Sequence, residues 1–460
     1  MKKVICALLA AMMLVSMASC DSSKKAASEE SKKETQSIQG ETTMSEAVTS
    51  EKEETTVSEI ETSETSAEVS ESEDEITVSE SEELSDESET TAAATETSAT
   101  ETTETTETET ETETVEEVAF PADGATIVLA NAEVYDWSSN YRYTKTDSTP
   151  FYRHEDIYYP VPVTFTWKEV DGADYYRIYL STAEDFAVYE SYLINDNSIS
   201  LDHLFVGTKY YWTVVATQVA EGEEVNSYAV APRSFTTADS PRCFKIDGVS
   251  NTRDIGGLDC KNGYRIKQGM IYRGGKLEQI TDEGKDFFLN YIGVTTDLDL
   301  RTPGEGGAGS GSPLGSDINY YNFDGRYYVG SKGISTAEGK AIFAEEIRVF
   351  TDPDNYPIYI HCSLGRDRTG TLVFVIEALL GVTKLDLFMD YELSIFSVTG
   401  TLDNASISAI RDNITATYNY IDKNYTGANF SEKTENYLLD IGITPEEIQT
   451  IRDLLLEEVK

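Results

Sequence analysis

Between Val163 and Thr237 apolar and polar side chains change places at nearly every position. Val163-Thr164-Phe165-Thr166-Trp167 is the clearest case, and a period of two over such a run predicts a strand with one buried face. Tyr175–Leu180, Ser198–Leu201 and Tyr210–Ala216 read the same way, and Arg233–Thr237 reads as a last, edge strand. Asp171-Gly172 and Val206-Gly207-Thr208 supply turns between them. Regular short strands from Pro121 to about Asp239 predict a β-sandwich. Past a linker at Asp239-Ser240-Pro241 the pattern lengthens. Thr281–Tyr291 predicts a helix and Gly293–Arg301 a strand. The apolar run Tyr356–Ile360 predicts a buried strand, and Gly370–Leu380 has the length and composition of a buried helix. Thr444, Pro445 and Glu447 form a helix start, as N-cap, first-turn proline and capping-box glutamate.

The amino-terminal part follows neither period. Lys2 and Lys3 precede an apolar stretch, and Met17-Ala18-Ser19 lead into Cys20. Residues 1–20 read as a secretory signal with a lipoprotein-type cleavage site, too short for an ordinary spanning helix. Lipidation of Cys20 would tether the product to the outer face of a bacterial membrane. The other readings are a simple cleaved signal or an uncleaved anchor. Residues 21–118 hold 5 basic and 32 acidic side chains, a charge of 5 − 32 = −27 out of −47 for the chain, with no proline, no aromatic residue and one glycine, Gly40. Such a segment cannot bury enough apolar surface to offset chain entropy. It is expected to be a disordered, extended stalk. Removing it and Lys2 and Lys3 leaves −47 + 27 − 2 = −22 on the rest, which argues against nucleic acid as a partner.

The candidate chemistry lies between the apolar strand and the buried helix. Cys362 and Arg368 stand six positions apart. A loop of this length joining a strand to a helix start can turn its backbone N–H groups inward, and the helix N-terminus adds partial positive charge. Such a nest binds a tetrahedral oxyanion. Arg368 can grip two phosphate oxygens with its planar fork. Cys362 would lie beneath the phosphorus, its thiolate stabilised by the same field. That is the equipment for attack on a phosphate ester through a phosphocysteine.

The run His361-Cys362-Ser363-Leu364-Gly365-Arg366-Asp367-Arg368-Thr369-Gly370 resembles the signature of cysteine-dependent protein-tyrosine phosphatases. With an Asp directly before the Arg, it is similar to the bacterial tyrosine/serine phosphatase family, whose secreted members also dephosphorylate serine, threonine and phosphoinositides. Asn251-x-Arg253-Asp254-x-Gly256-Gly257, Ile271–Leu277 with its basic residue Lys276, Asp299-Leu300-Arg301 with Glu305, Asp390–Ser394 and the stretch Phe430–Glu447 also match. The resemblance covers roughly Phe244 to Lys460. It implies that residues 240–460 are an α/β domain with a parallel-type central sheet flanked by helices, and that Cys362 is the nucleophile. It further implies a loop of Ser363, Leu364, Gly365, Arg366 and Thr369 around phosphate, with His361 ordering it. In cysteine phosphatases an aspartate protonates the leaving oxygen. Asp367 is the preferred candidate and Asp324, 38 positions before Cys362, the alternative. Arg301 and Glu305 are expected to pin a strand end, and Arg253 and Asp254 to be structural partners. Arg366 stands where the family usually has a Lys tied to phosphoinositide binding, and Arg keeps the charge but not the geometry. Within 121–239, Trp167, the Leu204…Tyr210 run and Trp212 resemble a fibronectin type III domain, which implies a spacer.

No metal-ligand pattern is present, and no cofactor is expected; His154 and His203 are isolated. Cys243 and Cys260 could pair or could be two small buried residues. The expected substrates are phosphoproteins or phosphoinositides. The competing functions are an inositol polyphosphate phosphatase with the same chemistry and a surface adhesin with an inactive phosphatase fold. Intact His361, Cys362, Arg368 and Thr369 argue against the latter.

Overall fold

Alternation does what the pattern requires in the first folded part. The strands Val163–Thr166, Tyr175–Ser181, Ser198–Leu201 and Lys209–Ala220 lie where the period of two placed them. Phe165, Trp212 and Phe235 are fully buried between the layers. The Phe165 ring meets Trp212 and Phe235 edge-on at 5.1 and 5.8 Å, a favoured aromatic arrangement. One layer has five strands, in the order Ala125–Ile127, Glu223–Thr237, Lys209–Ala220, Tyr175–Ser181, Glu190–Ile194; the other pairs Val163–Thr166 with Ser198–Leu201. The strand holding Arg233–Thr237 is therefore internal and far longer than expected. Its first half, Glu223-Glu224-Val225-Asn226-Ser227-Tyr228, is exposed throughout and carries no buried-face alternation to read.

The computed structural model describes residues 119–144, 158–331, 333–397 and 404–459. The leader with Cys20, the acidic segment 21–118 and His154 lie outside the described residues. Among the described residues no helix is long and apolar enough to cross a membrane.

The second core is built on a six-stranded sheet in the order Asn319–Asn322, Thr296–Asp299, Ile358–His361, Ile271–Gly274, Arg253–Asp254, Arg242–Cys243. The first four are parallel, and the last two are short antiparallel additions. The sheet is thus mixed at one edge and parallel at its centre, where the strands are buried at every position. Continuous burial is the mark of a parallel strand covered on both faces. The helix Asp367–Leu380 is buried from Thr369 onward and stops at Gly381, whose φ of 94° suits glycine. The Thr444–Glu447 capping box forms as expected.

One segment does not respect the expected boundary at residue 239. The helix Ala132–Thr144 and Tyr158 come from the sandwich stretch, yet Val134, Trp137, Tyr141 and Tyr158 belong to the second core. Trp137 packs edge-on against Phe396 at 4.8 Å, and the Tyr141 hydroxyl donates to Glu392 at 3.1 Å. Direct hydrogen bonds also join the two parts. Val206 and the Gln268 side chain exchange two, at 2.8 and 2.9 Å, and the Arg242 Nε donates to the Leu204 carbonyl at 3.0 Å. His203 packs between Glu190 and Tyr291, so it is an interface residue.

Candidate active site

The strand Ile358–His361 ends at the centre of the sheet, and Cys362 follows it with 3% of its surface exposed. The loop returns at Asp367, where the buried helix begins. Three outside groups hold its carbonyls. The Asn251 Nδ2 donates to the Leu364 carbonyl at 2.9 Å, the Arg273 Nη2 to the Gly365 carbonyl at 2.9 Å, and the Lys276 amide to the Ser363 carbonyl at 3.4 Å. In a planar trans peptide the N–H points opposite to the C=O. Pulling these carbonyls outward therefore turns the amides of Leu364, Gly365 and Arg366 inward, as an oxyanion requires. Gly365 has φ of 69°, and a Cβ there would meet the Gly274 carbonyl oxygen at 2.2 Å, so no other residue fits.

The holding groups are themselves fixed. Arg253, fully buried, donates to the Asn251 Oδ1 and to Asp390 Oδ1, both at 2.7 Å. Arg273 donates to the other Asp390 oxygen. Burial pushes the Asp390 carboxyl up, but the two guanidinium groups outweigh it and hold it below its ordinary value. The Asn-x-Arg motif and Asp390 are thus the scaffold of the phosphate loop. Sequence reading found them as matched motifs but missed this role, because side chains 113 positions apart meet only in the fold.

Burial alone would raise the Cys362 thiol. The Thr369 hydroxyl and amide and the charge of Arg368 outweigh burial, and the thiol ends below its ordinary value. The Thr369 hydroxyl is buried without a hydrogen-bond partner among the described residues. His361 is fully buried, with Nε2 2.8 Å from Asp297. Burial pushes the imidazole down, and Asp297 and Asp299 push it further up, so it stays above its ordinary value. Its Nδ1 lies 3.2 Å from the Cys362 carbonyl oxygen, which fits a loop-ordering role.

Glu305 departs from the expected role. Arg301 does pin the strand end, to Asp299 at 2.8 Å and Glu278 at 2.6 Å. Glu305 instead reaches the loop: it accepts from both terminal nitrogens of Arg368, at 2.7 and 2.8 Å, and from the Ser363 hydroxyl at 2.7 Å. Arg368 above all, with Ser363, pulls its carboxyl down to about 2. A bidentate partner fixes the plane of the guanidinium, so Arg368 is aimed before any phosphate arrives.

Both candidate acids line one cavity of about 400 Å³, together with Thr302, Glu305, Gly325, Arg326, Tyr327 and Arg368. Asp367 accepts from Arg366 at 3.1 and 3.0 Å and from the Tyr328 hydroxyl at 2.5 Å. Asp324 accepts from the Thr302 hydroxyl at 2.6 Å and lies 3.2 Å from Arg326. Asp324 is therefore more than a turn residue: it already faces the cavity. Arg366 turns its fork to Asp367 and away from a direct phosphate grip. Tyr328, itself at φ 56°, is a site residue that no sequence signal marked. Cys243 and Cys260 are free thiols.

Residues 244–457 match the tyrosine phosphatase family. This segment matches that family's model, and the enzyme is a phosphatase. A Cupriavidus necator protein that carries the name of a tyrosine-protein phosphatase is 25% identical over 194 residues, covering 36% of this chain and 69% of that one. A Dictyostelium discoideum protein named as a tyrosine-protein phosphatase is 38% identical over 50 residues, 11% of this chain and 30% of its own. Among solved structures, the core catalytic domain of the PP-IP phosphatase SIW14 from S. cerevisiae matches at 20% identity, with TM-score 0.23, over 32% of this chain and 83% of that one. An Fn3-like protein from Clostridium thermocellum matches at 28% identity, with TM-score 0.14, over 16% and 76%.

Proposed function

We propose that this phosphatase hydrolyses phosphotyrosine esters, with phosphoserine, phosphothreonine and phosphoinositide esters as further substrates, at the outer face of a bacterial membrane to which lipidated Cys20 tethers it. The observation that carries the chemistry is the Cys362 thiol, buried beside Thr369 and Arg368 and held below its ordinary value. The sulfur attacks phosphorus as the ester P–O bond breaks. The inward amides and Arg368 take the charge on the three equatorial oxygens, which is positioning and electrostatics. Asp367 gives its proton to the leaving oxygen. As carboxylate it then takes a proton from water, which attacks phosphorus and releases the sulfur. Thr369 stabilises the departing thiolate, and the proton on Asp367 restores the starting state.

The test is turnover of phosphotyrosine peptide, phosphoserine peptide and phosphoinositide by the full chain and by its Cys362→Ser variant. Release of phosphate from the tyrosine peptide by the parent and none by the variant supports the reading. Equal release by both overturns it.

A further inference from the structure

We infer that Tyr328, backed by Tyr391, is a positioning residue for the general acid: it occupies one oxygen of the Asp367 carboxyl, Oδ1, and leaves the other, Oδ2, to carry the catalytic proton. The inference rests on Asp367 as the acid of the phosphatase reaction and adds how that acid is aimed. Oδ1 accepts from the Arg366 Nε at 3.1 Å and from the Tyr328 hydroxyl at 2.5 Å. Among the described residues Oδ2 accepts from the Arg366 Nη2 alone, at 3.0 Å. A carboxylate oxygen has two lone pairs. Both on Oδ1 are taken, and one on Oδ2 stays open, on a side chain that lines the cavity of the candidate acids. A proton bound at Oδ1 would displace the Tyr328 hydrogen bond, whereas a proton bound at Oδ2 can use the open lone pair.

The two hydroxyls form a chain with one direction. A carboxylate can only accept, so the Tyr328 hydrogen goes to Asp367. The Tyr391 hydroxyl, brought in by the helix Lys384–Leu393, also meets that of Tyr328, and it must be the donor of that contact. Both tyrosines are buried. Burial above all, then Tyr391 and the charge of Asp367, pushes the Tyr328 hydroxyl far above its ordinary value. Burial, followed by Asp367, does the same to Tyr391. Both therefore keep their hydrogens across the neutral range and can donate at every step. The backbone of Tyr328 is fixed as well. Its amide donates to the Thr371 hydroxyl at 3.2 Å, which itself donates to the Asp367 carbonyl at 2.8 Å. Its carbonyl accepts from the Ile334 amide at 2.9 Å. Backbone and side chain thus straddle the first turn of the helix Asp367–Leu380. Tyr328 holds φ of 56°, a left-handed conformation that strains a bulky side chain. Glycine would relieve the strain but has no hydroxyl to give to Asp367.

The test uses the full chain with Tyr328→Phe, which removes the hydroxyl and keeps the ring. Steady-state rates are measured on a phosphotyrosine peptide, whose phenol of pKa about 10 needs a proton as it leaves, and on p-nitrophenyl phosphate, whose leaving group needs it far less. The expected loss of kcat on the peptide is about ten- to hundredfold, the range of a hydrogen bond to a charged group, with KM changed less than about twofold. The loss on p-nitrophenyl phosphate is expected to be much smaller. In an Asp367→Asn background the same change is expected to cost nothing further, because residues acting as a unit are not additive. A loss of equal size on both esters, or one that multiplies with that of Asp367→Asn, overturns the positioning role. Tyr391→Phe removes the donor behind Tyr328 and is expected to show the same split with a smaller loss. It decides the matter if Tyr328→Phe does not fold. Asp367→Asn by itself separates the two readings. A leaving-group dependence there and none in Tyr328→Phe overturns the positioning role and keeps the acid. No dependence in Asp367→Asn overturns the acid, and the positioning role with it.

Discussion

Asp367 and Asp324 share a cavity, so chemistry has to separate them. Asp367 sits on the helix turn that also carries Arg368, and general acid catalysis typically contributes about 10²–10⁴-fold. Asp367→Asn is expected to cut turnover of an alkyl phosphate by that order and that of an aryl phosphate with a good leaving group far less. Asp324→Asn is expected to leave the alkyl substrate largely unaffected. Steady-state rates over a series of leaving groups check this, and the reverse pattern moves the role to Asp324. Glu305 gives a second prediction. Its folded pKa of about 2 lies below the usual ~4.3 of an unfolded glutamate. A depressed carboxyl stabilises the fold above the unfolded value, and the contribution is lost as pH falls through the folded one. The clamp on Arg368 therefore persists through neutral and mildly acidic pH. Glu305→Gln removes one charge from a bidentate pair, and hydrogen bonds to charged groups are worth about 1.5–3 kcal/mol. A loss of roughly ten- to hundredfold in kcat/KM is expected, with the stability difference from the parent shrinking below about pH 4 in acid-melting curves.

At the scale of elements, the loop depends on a strand pair and a helix that come from elsewhere in the chain. Asp390 is shared by two buried arginines, and removing one partner of a buried pair typically costs about 3–5 kcal/mol. Asp390→Asn is expected to lower the unfolding free energy by an amount in that range, read from denaturant titration. It should also weaken phosphate binding, because Arg273 and Arg253, which holds Asn251, lose the group that aims them. The helix Ala132–Thr144 makes the same point for packing. Trp137, 2% exposed, fills a place against Phe396 that the 240–460 segment cannot fill itself. Large-to-small substitutions of a buried aromatic cost about 3–5 kcal/mol. Trp137→Ala is expected to destabilise the catalytic core by that order. The isolated 240–460 fragment should melt well below a 119–460 fragment in differential scanning calorimetry. Equal melting temperatures would show that the helix is dispensable.

For the whole molecule, the sandwich and the catalytic domain share hydrogen bonds and a helix, so the first holds the second. The tether is the remaining prediction at this scale. Cys20→Ser is expected to release the protein from the detergent phase on phase partitioning, and unchanged partitioning would count against lipidation.

The sequence alone determined the strand–loop–helix unit around Cys362, a strand of the sandwich and one helix start. Each is written in contiguous residues: the loop from His361 to Gly370, the period of two in Val163–Trp167, the capping box at Thr444. Local pattern reports local geometry, and these features are local. Tertiary structure decided which distant side chains serve the loop. Asn251, Arg273 and Asp390 reach it only because the sheet sets Ile271–Gly274 beside Ile358–His361 in register. Glu305 turned to Arg368 because Arg301 already had Asp299 and Glu278, a competition that no spacing records. The helix Ala132–Thr144 crossed the apparent boundary because Trp137 and Tyr141 found their buried partners in the catalytic core, and burial does not depend on position in the chain.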